Sequence, residues 1–170
     1  MTAQYKINEF GEIVREDYFF SQVQGTGVQI LPFQRKVWKI FLLNLLTFSI
    51  YGIVVGFAMA KETNIACAGD GKHTKGFWAV LGLSIITLGI YAIIWYVQWL
   101  NREAAFLNNK NQEGAFSGWV YLTLVIVSIV VSIIPIVPAI INFIILSQVV
   151  RQHNAVNATY NEMNNFIQKI

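Results

Sequence analysis

Charged residues leave three long gaps in this chain. None stands between residues 40 and 60, between 76 and 101, or between 114 and 150. The gaps are filled mainly by Ile, Leu, Val, Phe and Ala. A helix of ~20 apolar residues covers a ~30 Å hydrocarbon core. The pattern therefore predicts three apolar helical units, 37–60, 77–100 and 119–150. A chain of 170 residues is too short to bury three such units inside a soluble core. The fold class read from this is an all-α integral membrane protein.

The units are not uniform. "SIITLGIYAIIWY", residues 84–96, carries a Thr-Leu-Gly-Ile-Tyr break at its middle. "NLLTFSIYGIVVG", residues 44–56, carries the same frame. Trp38 aligns with Trp78, Thr47 with Thr87, Tyr51 with Tyr91 and Ile53 with Ile93, all at one offset. A fixed offset of this size is the mark of a duplicated supersecondary unit. The third unit breaks differently, with Pro135 and Pro138 in "IIPIVPAI". Proline removes a helical hydrogen bond and clashes with the preceding turn. The expected break positions are Thr47, Tyr51, Thr87, Gly89, Tyr91, Pro135 and Pro138. If Tyr51 and Tyr91 sit at kinks or hairpin tips, their hydroxyls are candidates to cap freed backbone groups.

Three arrangements follow. Each unit is a single kinked span, or the third unit is two short spans, making four, or each unit is a re-entrant hairpin with its break at the tip. The first gives a weak excess of basic residues on the N-terminal side, and the second a stronger one. The third puts all twelve basic residues on one face. It requires the tip backbone to be satisfied within protein, since lipid offers no hydrogen bonds.

The flanks are polar. Residues 1–34 form an N-terminal segment in which "YKINEFGEIVRED" predicts a small hairpin turning at Gly11. Acidic residues at 9, 12, 16 and 17 make it unlike a secretory signal. The membrane domain is read as 35–152 and the tail as 153–170. In the tail, Val156, Tyr160, Met163, Ile167 and Ile170 mark one face of an amphipathic helix, suited to a membrane surface or a partner helix. Its asparagines weaken that expectation, because Asn competes for backbone hydrogen bonds.

Composition sharpens the class. The chain is 55% hydrophobic and only 12% charged, against roughly 25% charged in soluble domains. Net charge is +3, with the basic residues at the edges of the apolar runs. That excludes a nucleic-acid footprint, which needs a dense basic stripe. One cysteine, Cys67, allows no internal disulfide.

Candidate chemistry is sparse. "CAGDGKHTKGF", residues 67–77, hints at a phosphate loop, but Ala66 stands where the first Gly belongs and His73 follows the Lys. Cys67, Asp70 and His73 lack metal-site spacing. No cofactor is expected. No nucleophile–base pair is visible, so no enzyme activity is expected either. Gly52 and Gly56 form a small-xxx-small pair that lets another helix approach closely.

The chain resembles the domain-of-unknown-function 4234 family of bacterial membrane proteins. The resemblance rests on the two Thr-x-[Gly/Ser]-Ile-Tyr breaks, on "NIACAGDGKHTKGF" at 64–77, on Trp95-Tyr96, on Asn101-Arg102 and on "NAVNATYN" at 154–161. Ser49 departs from the usual first Gly, the stretch after Arg102 is Asn/Lys-rich, and "IIPIVPAI" replaces a common Gly-x-Gly-Pro break. The family has no agreed activity, so the resemblance implies a bacterial, membrane-embedded, α-helical protein and a structural role for the 64–77 loop.

The functional expectation is a non-enzymatic inner-membrane protein with a cytoplasmic N-terminus. It would act as an assembly or interaction module in the lipid bilayer, self-associating as a homo-oligomer. Its N-terminal segment or tail would be open to a protein partner. A small channel or transporter with its path at the breaks is one alternative. A membrane immunity or accessory factor is another.

Overall fold

The computed structural model describes residues 5–7, 13–15, 30–112, 115–134 and 136–164. Two short strands, β1 (Tyr5–Ile7) and β2 (Ile13–Arg15), pair antiparallel with Tyr5 opposite Arg15. The expected turn at Gly11 lies outside the described residues. The remaining regular elements of the described chain are helices. Each apolar unit is divided into two helices, α1 (Val37–Leu46) and α2 (Ile50–Ala66), α3 (Phe77–Ile86) and α4 (Ile90–Asn108), α5 (Gly118–Val130) and α6 (Ile136–Met163).

The breaks at 47–49 and 87–89 reverse the chain. At the first, the Thr47 hydroxyl donates to the Leu43 carbonyl at 2.7 Å and accepts the Tyr51 N–H at 3.0 Å. At the second, Thr87 does the same with Leu83 at 2.8 Å and Tyr91 at 2.9 Å. Ser49 N–H donates to Asn44 O at 2.8 Å and Gly89 N–H to Ser84 O at 2.7 Å. These are the six-to-one bonds that close a helix C-terminus. They require left-handed backbone, found at Phe48, Ser49, Leu88 and Gly89. One threonine thus closes one helix and caps the next.

The two helices of each unit then lie side by side. In the first, the Gly52 N–H donates to the Asn44 side chain, which a continuous helix would hold roughly 12 Å away along the axis. In the second, the Trp95 indole N–H donates to the Lys75 carbonyl at 3.0 Å, bringing a residue before α3 beside the second turn of α4. The backbone therefore folds each unit into a helical hairpin, where a single kinked helix was one of the expectations. The third reversal falls at 131–134. Pro138 is the third residue of α6, inside the first turn, where its missing N–H costs nothing. Pro135 lies outside the described residues.

The hairpins share one orientation. Glu62 near the end of α2, Glu103 in the second half of α4 and His153 in the second half of α6 meet at one end, the base. The Gly118 N–H, at the start of α5, donates to Asn101 Oδ1 at 2.8 Å, also at the base. The three turns are at the opposite end. Phe48 and Leu88 are each 93% exposed there and Ile133 is 90% exposed. Every charged residue described from 30 onward is at or near the base.

α6 is the central post, touching α1, α2, α4 and α5. Trp95, Trp99, Leu100, Val55, Met59 and Val150 form the main core around it. Gly118 allows α5 to close on α4, since a Cβ there would stand 2.2 Å from the Val97 carbonyl oxygen. By length and composition, α6 is the one described helix able to cross a membrane; α1 and α5 are shorter apolar helices. It runs without a break through 152 and 153, where the sequence reading divides domain from tail.

Candidate functional site

The base holds a buried chain of alternating charges. Arg35 forms a two-pronged pair with Glu62, at 2.8 and 2.7 Å. Glu62 Oε2 lies 2.9 Å from His153 Nε2, and His153 Nδ1 lies 2.6 Å from Glu103 Oε1. Glu103 also accepts from the Thr63 hydroxyl at 2.7 Å and from the Trp99 indole at 3.0 Å. His153 and Glu103 have no exposed surface. Such charges are tolerated only when paired and hydrogen-bonded.

The geometry sets the protonation of His153. Both ring nitrogens face carboxylate oxygens, so both act as donors and the ring is an imidazolium. Burial opposes that charge, but Glu103 and Glu62 outweigh it and raise the pKa above its ordinary 6.5. Burial likewise opposes the Glu62 carboxylate, yet bonds from His153 and Arg35 bring it down to about 2.

Beside this network, three asparagines grip an extended segment of chain. Asn161 accepts from the Leu31 N–H at 3.0 Å and donates to the Leu31 carbonyl at 2.7 Å. Asn154 treats Arg35 the same way, at 3.1 and 2.9 Å. Asn157 donates to the Pro32 carbonyl at 2.6 Å and to Glu62 at 2.7 Å. The side-chain amides bond the backbone of Leu31, Pro32 and Arg35 much as a neighbouring strand would. Leu31 is fully buried among Ala66, Cys67, Leu107 and Val156.

A second cluster fixes the 67–76 loop. Arg102 donates to Asp70 at 2.7 and 2.9 Å, to Thr74 Oγ1 at 3.0 Å, to Asn64 Oδ1 at 2.5 Å, and to the carbonyls of Cys67 and Lys72 at 3.2 and 2.7 Å. Asn64 clasps Thr74 through both its backbone groups. The hydrogen bond from Arg102 holds Asp70 below its ordinary value. Burial raises Cys67 to about 12, leaving an inert thiol. Among the described residues, no three His, Cys, Asp or Glu side chains converge as metal ligands.

The residues singled out by sequence divide between tips and base. Thr47 and Thr87 are the chemical agents of the turns. Tyr51 and Tyr91 receive a cap on their backbone N–H, where their hydroxyls were the expected caps. Their rings pack beside the core. Gly52 accommodates Asn44, and Gly56 faces the Tyr96 hydroxyl, so both close approaches are within the chain. In the tail, Val156 is buried, Tyr160 half-buried and Met163 exposed, while Ile167 and Ile170 lie outside the described residues. The asparagines, read as a weakness, face the buried side. Their spacing at 154, 157 and 161 was the available signal, one stripe of a helix. Arg35, Glu62, Glu103 and His153 carried no comparable signal, because charges at the ends of apolar runs read as membrane edges.

No curated protein and no solved structure matches the chain. A family model matches residues 35–77 and 75–157, from the Arg35 clamp through all three hairpins to Asn157. The chain thus belongs to the family described as Domain of unknown function (DUF4234).

Proposed function

We propose that the protein is a non-enzymatic, re-entrant membrane protein of a bacterial inner membrane. In this reading its three hairpins enter the bilayer from one face, and it serves as an assembly or interaction module. The carrying observation is the separation of three bare apolar tips from a base that gathers the charges. Helices of 10 and 13 residues reach about 15 to 20 Å. That is roughly half to two-thirds of a ~30 Å hydrocarbon core. The first two turns close backbone groups of their own through Thr47, Thr87 and the reverse bonds, as burial in lipid demands. The polar second half of α6 packs into the base, which argues for insertion of its first half only. The gathered basic residues favour a cytoplasmic base and N-terminus. The exposed apolar hairpin flanks supply surface for a second copy.

One-sided labelling tests this. Single cysteines at Lys72 and Lys110, in a Cys67→Ser background, are treated with an impermeant maleimide in intact spheroplasts and in inverted vesicles. Both sites are expected to react only in inverted vesicles. Reaction of the two sites from opposite faces would overturn the re-entrant arrangement.

A further inference from the structure

A cleft of about 230 Å3 lies between the first hairpin, α4 and α6. Its floor is buried and includes Trp99 and Met59, toward the base. Its outer end includes the exposed Ser49, at the first tip. Gly52 and Gly56 form part of one wall, where the Asn44 amide and the Tyr96 hydroxyl stand against them.

Two hydrogen-bond donors line this wall. The Asn44 amide nitrogen lies 2.5 Å from where a Cβ on Gly52 would stand, and the Tyr96 hydroxyl lies 3.5 Å from where a Cβ on Gly56 would stand. Gly52 and Gly56 are one helical turn apart, roughly 6 Å along the axis. The Asn44 oxygen is taken by the Gly52 N–H. Neither the Asn44 amide N–H nor the Tyr96 O–H donates to another described residue. Tyr96 stacks on Tyr121 at 5.4 Å and contacts Trp99 at 5.6 Å, so its ring is held in place.

Resting on the re-entrant reading, the mouth opens at a depth where the surrounding phase is hydrocarbon. A ligand arriving there is lipid-soluble. To satisfy the cleft it must also accept hydrogen bonds at two separate points, from the Asn44 amide and the Tyr96 hydroxyl, and lie against the rings of Tyr96 and Trp99. A para-quinone has that form, with carbonyls at opposite ends of one ring. An empty cavity of ~150 Å3 already holds benzene, so the volume suffices for a substituted ring. We propose that this cleft binds the ring of a lipid-soluble para-quinone, its carbonyls accepting from Asn44 and Tyr96 and its tail leaving past Ser49 into the bilayer.

The test uses the full chain in phosphatidylcholine vesicles, with a decyl-substituted benzoquinone as probe. Tryptophan fluorescence is expected to fall saturably, because Trp99 forms the floor. Tyr96→Phe keeps the ring and removes one donor, and is expected to weaken binding about fivefold to tenfold. Gly56→Leu fills the wall and is expected to abolish it. A decyl-substituted dimethylbenzene, lacking carbonyls, is expected not to compete. Non-saturable quenching, equal binding by the Tyr96→Phe protein, or equal competition by the dimethylbenzene would each overturn the site. The Lys72 and Lys110 labelling in the same vesicles separates the two readings. Loss of one-sided insertion removes the membrane reading and the site with it, whereas retained insertion without saturable binding removes the site alone. If Gly56→Leu does not fold, the Tyr96→Phe comparison still decides.

Discussion

His153 Nδ1 lies 2.6 Å from Glu103 Oε1, and neither side chain has exposed surface. The contact joins the second hairpin to the central helix across 50 residues of sequence. On the other side of the same ring, Glu62 joins the first hairpin. One imidazolium therefore ties all three hairpins together at the base.

That tie has a pH signature. The folded pKa of His153 is raised, so its stabilisation is fully present below about 6.5 and is lost as pH rises through the folded value. The Glu62 pKa is depressed, so its stabilisation is present above about 4.5 and is lost only as pH falls toward about 2. Thermal unfolding in detergent between pH 5 and 10 is expected to show a falling midpoint on the alkaline side. His153→Gln is expected to flatten that slope. It should also lower stability by about 3 kcal/mol or more, by leaving buried carboxylates uncompensated.

The asparagine ladder predicts a local release. Asn161→Ala removes both bonds to Leu31 and is expected to cost about 1 to 3 kcal/mol. Hydrogen exchange at the Leu31 amide should accelerate, and protease should gain access at 30–35. Unchanged protection of Leu31 would show that its apolar pocket alone holds the segment.

Arg102 predicts a failure of the conservative substitution. Lysine keeps the charge but cannot match the planar fork that serves Asp70, Thr74, Asn64 and two carbonyls together. Arg102→Lys is expected to loosen the 67–76 loop and expose Cys67. The readout is thiol labelling, slow in the native protein because Cys67 is buried and its pKa is raised to about 12. Labelling should speed up in the Lys variant nearly as much as in Arg102→Ala.

The turns predict opposite signs for two exchanges. Ser49 adopts φ 71° without being glycine, so Ser49→Gly relieves a left-handed cost of about 1 kcal/mol. Gly89 adopts φ 89°, and Gly89→Ala adds a comparable cost. Unfolding midpoints should rise for the first and fall for the second. Two changes of the same sign would show that the turns are not set by this backbone preference.

Close packing gives a sharper contrast between glycines. Gly118→Ala puts a methyl 2.2 Å from the Val97 carbonyl, which belongs to a rigid helix, and is expected to destabilise by about 1 to 3 kcal/mol. Gly69→Ala meets open space and should leave the unfolding midpoint unchanged within error. The comparison isolates helix approach from the general effect of adding a methyl group.

The sequence by itself determined where the apolar units lie, that each is interrupted, and that charge is kept to their ends. These follow from local composition, because hydropathy and proline or glycine breaks act over a few neighbouring residues. Thr47 and Thr87 were legible as break positions for the same reason. Whether a break bends a helix or reverses it was not legible. That depends on a threonine hydroxyl serving two helices and on two consecutive left-handed residues. The base was hidden altogether. Arg35 meets Glu62 across 27 residues, Glu62 meets His153 across 91, and Leu31 meets Asn161 across 130. Each is an ordinary polar residue in its own neighbourhood, fit for a membrane edge. Only the parallel alignment of three hairpins brings them together and removes water. Partners for a buried charge are chosen by that desolvation, and no local pattern encodes it.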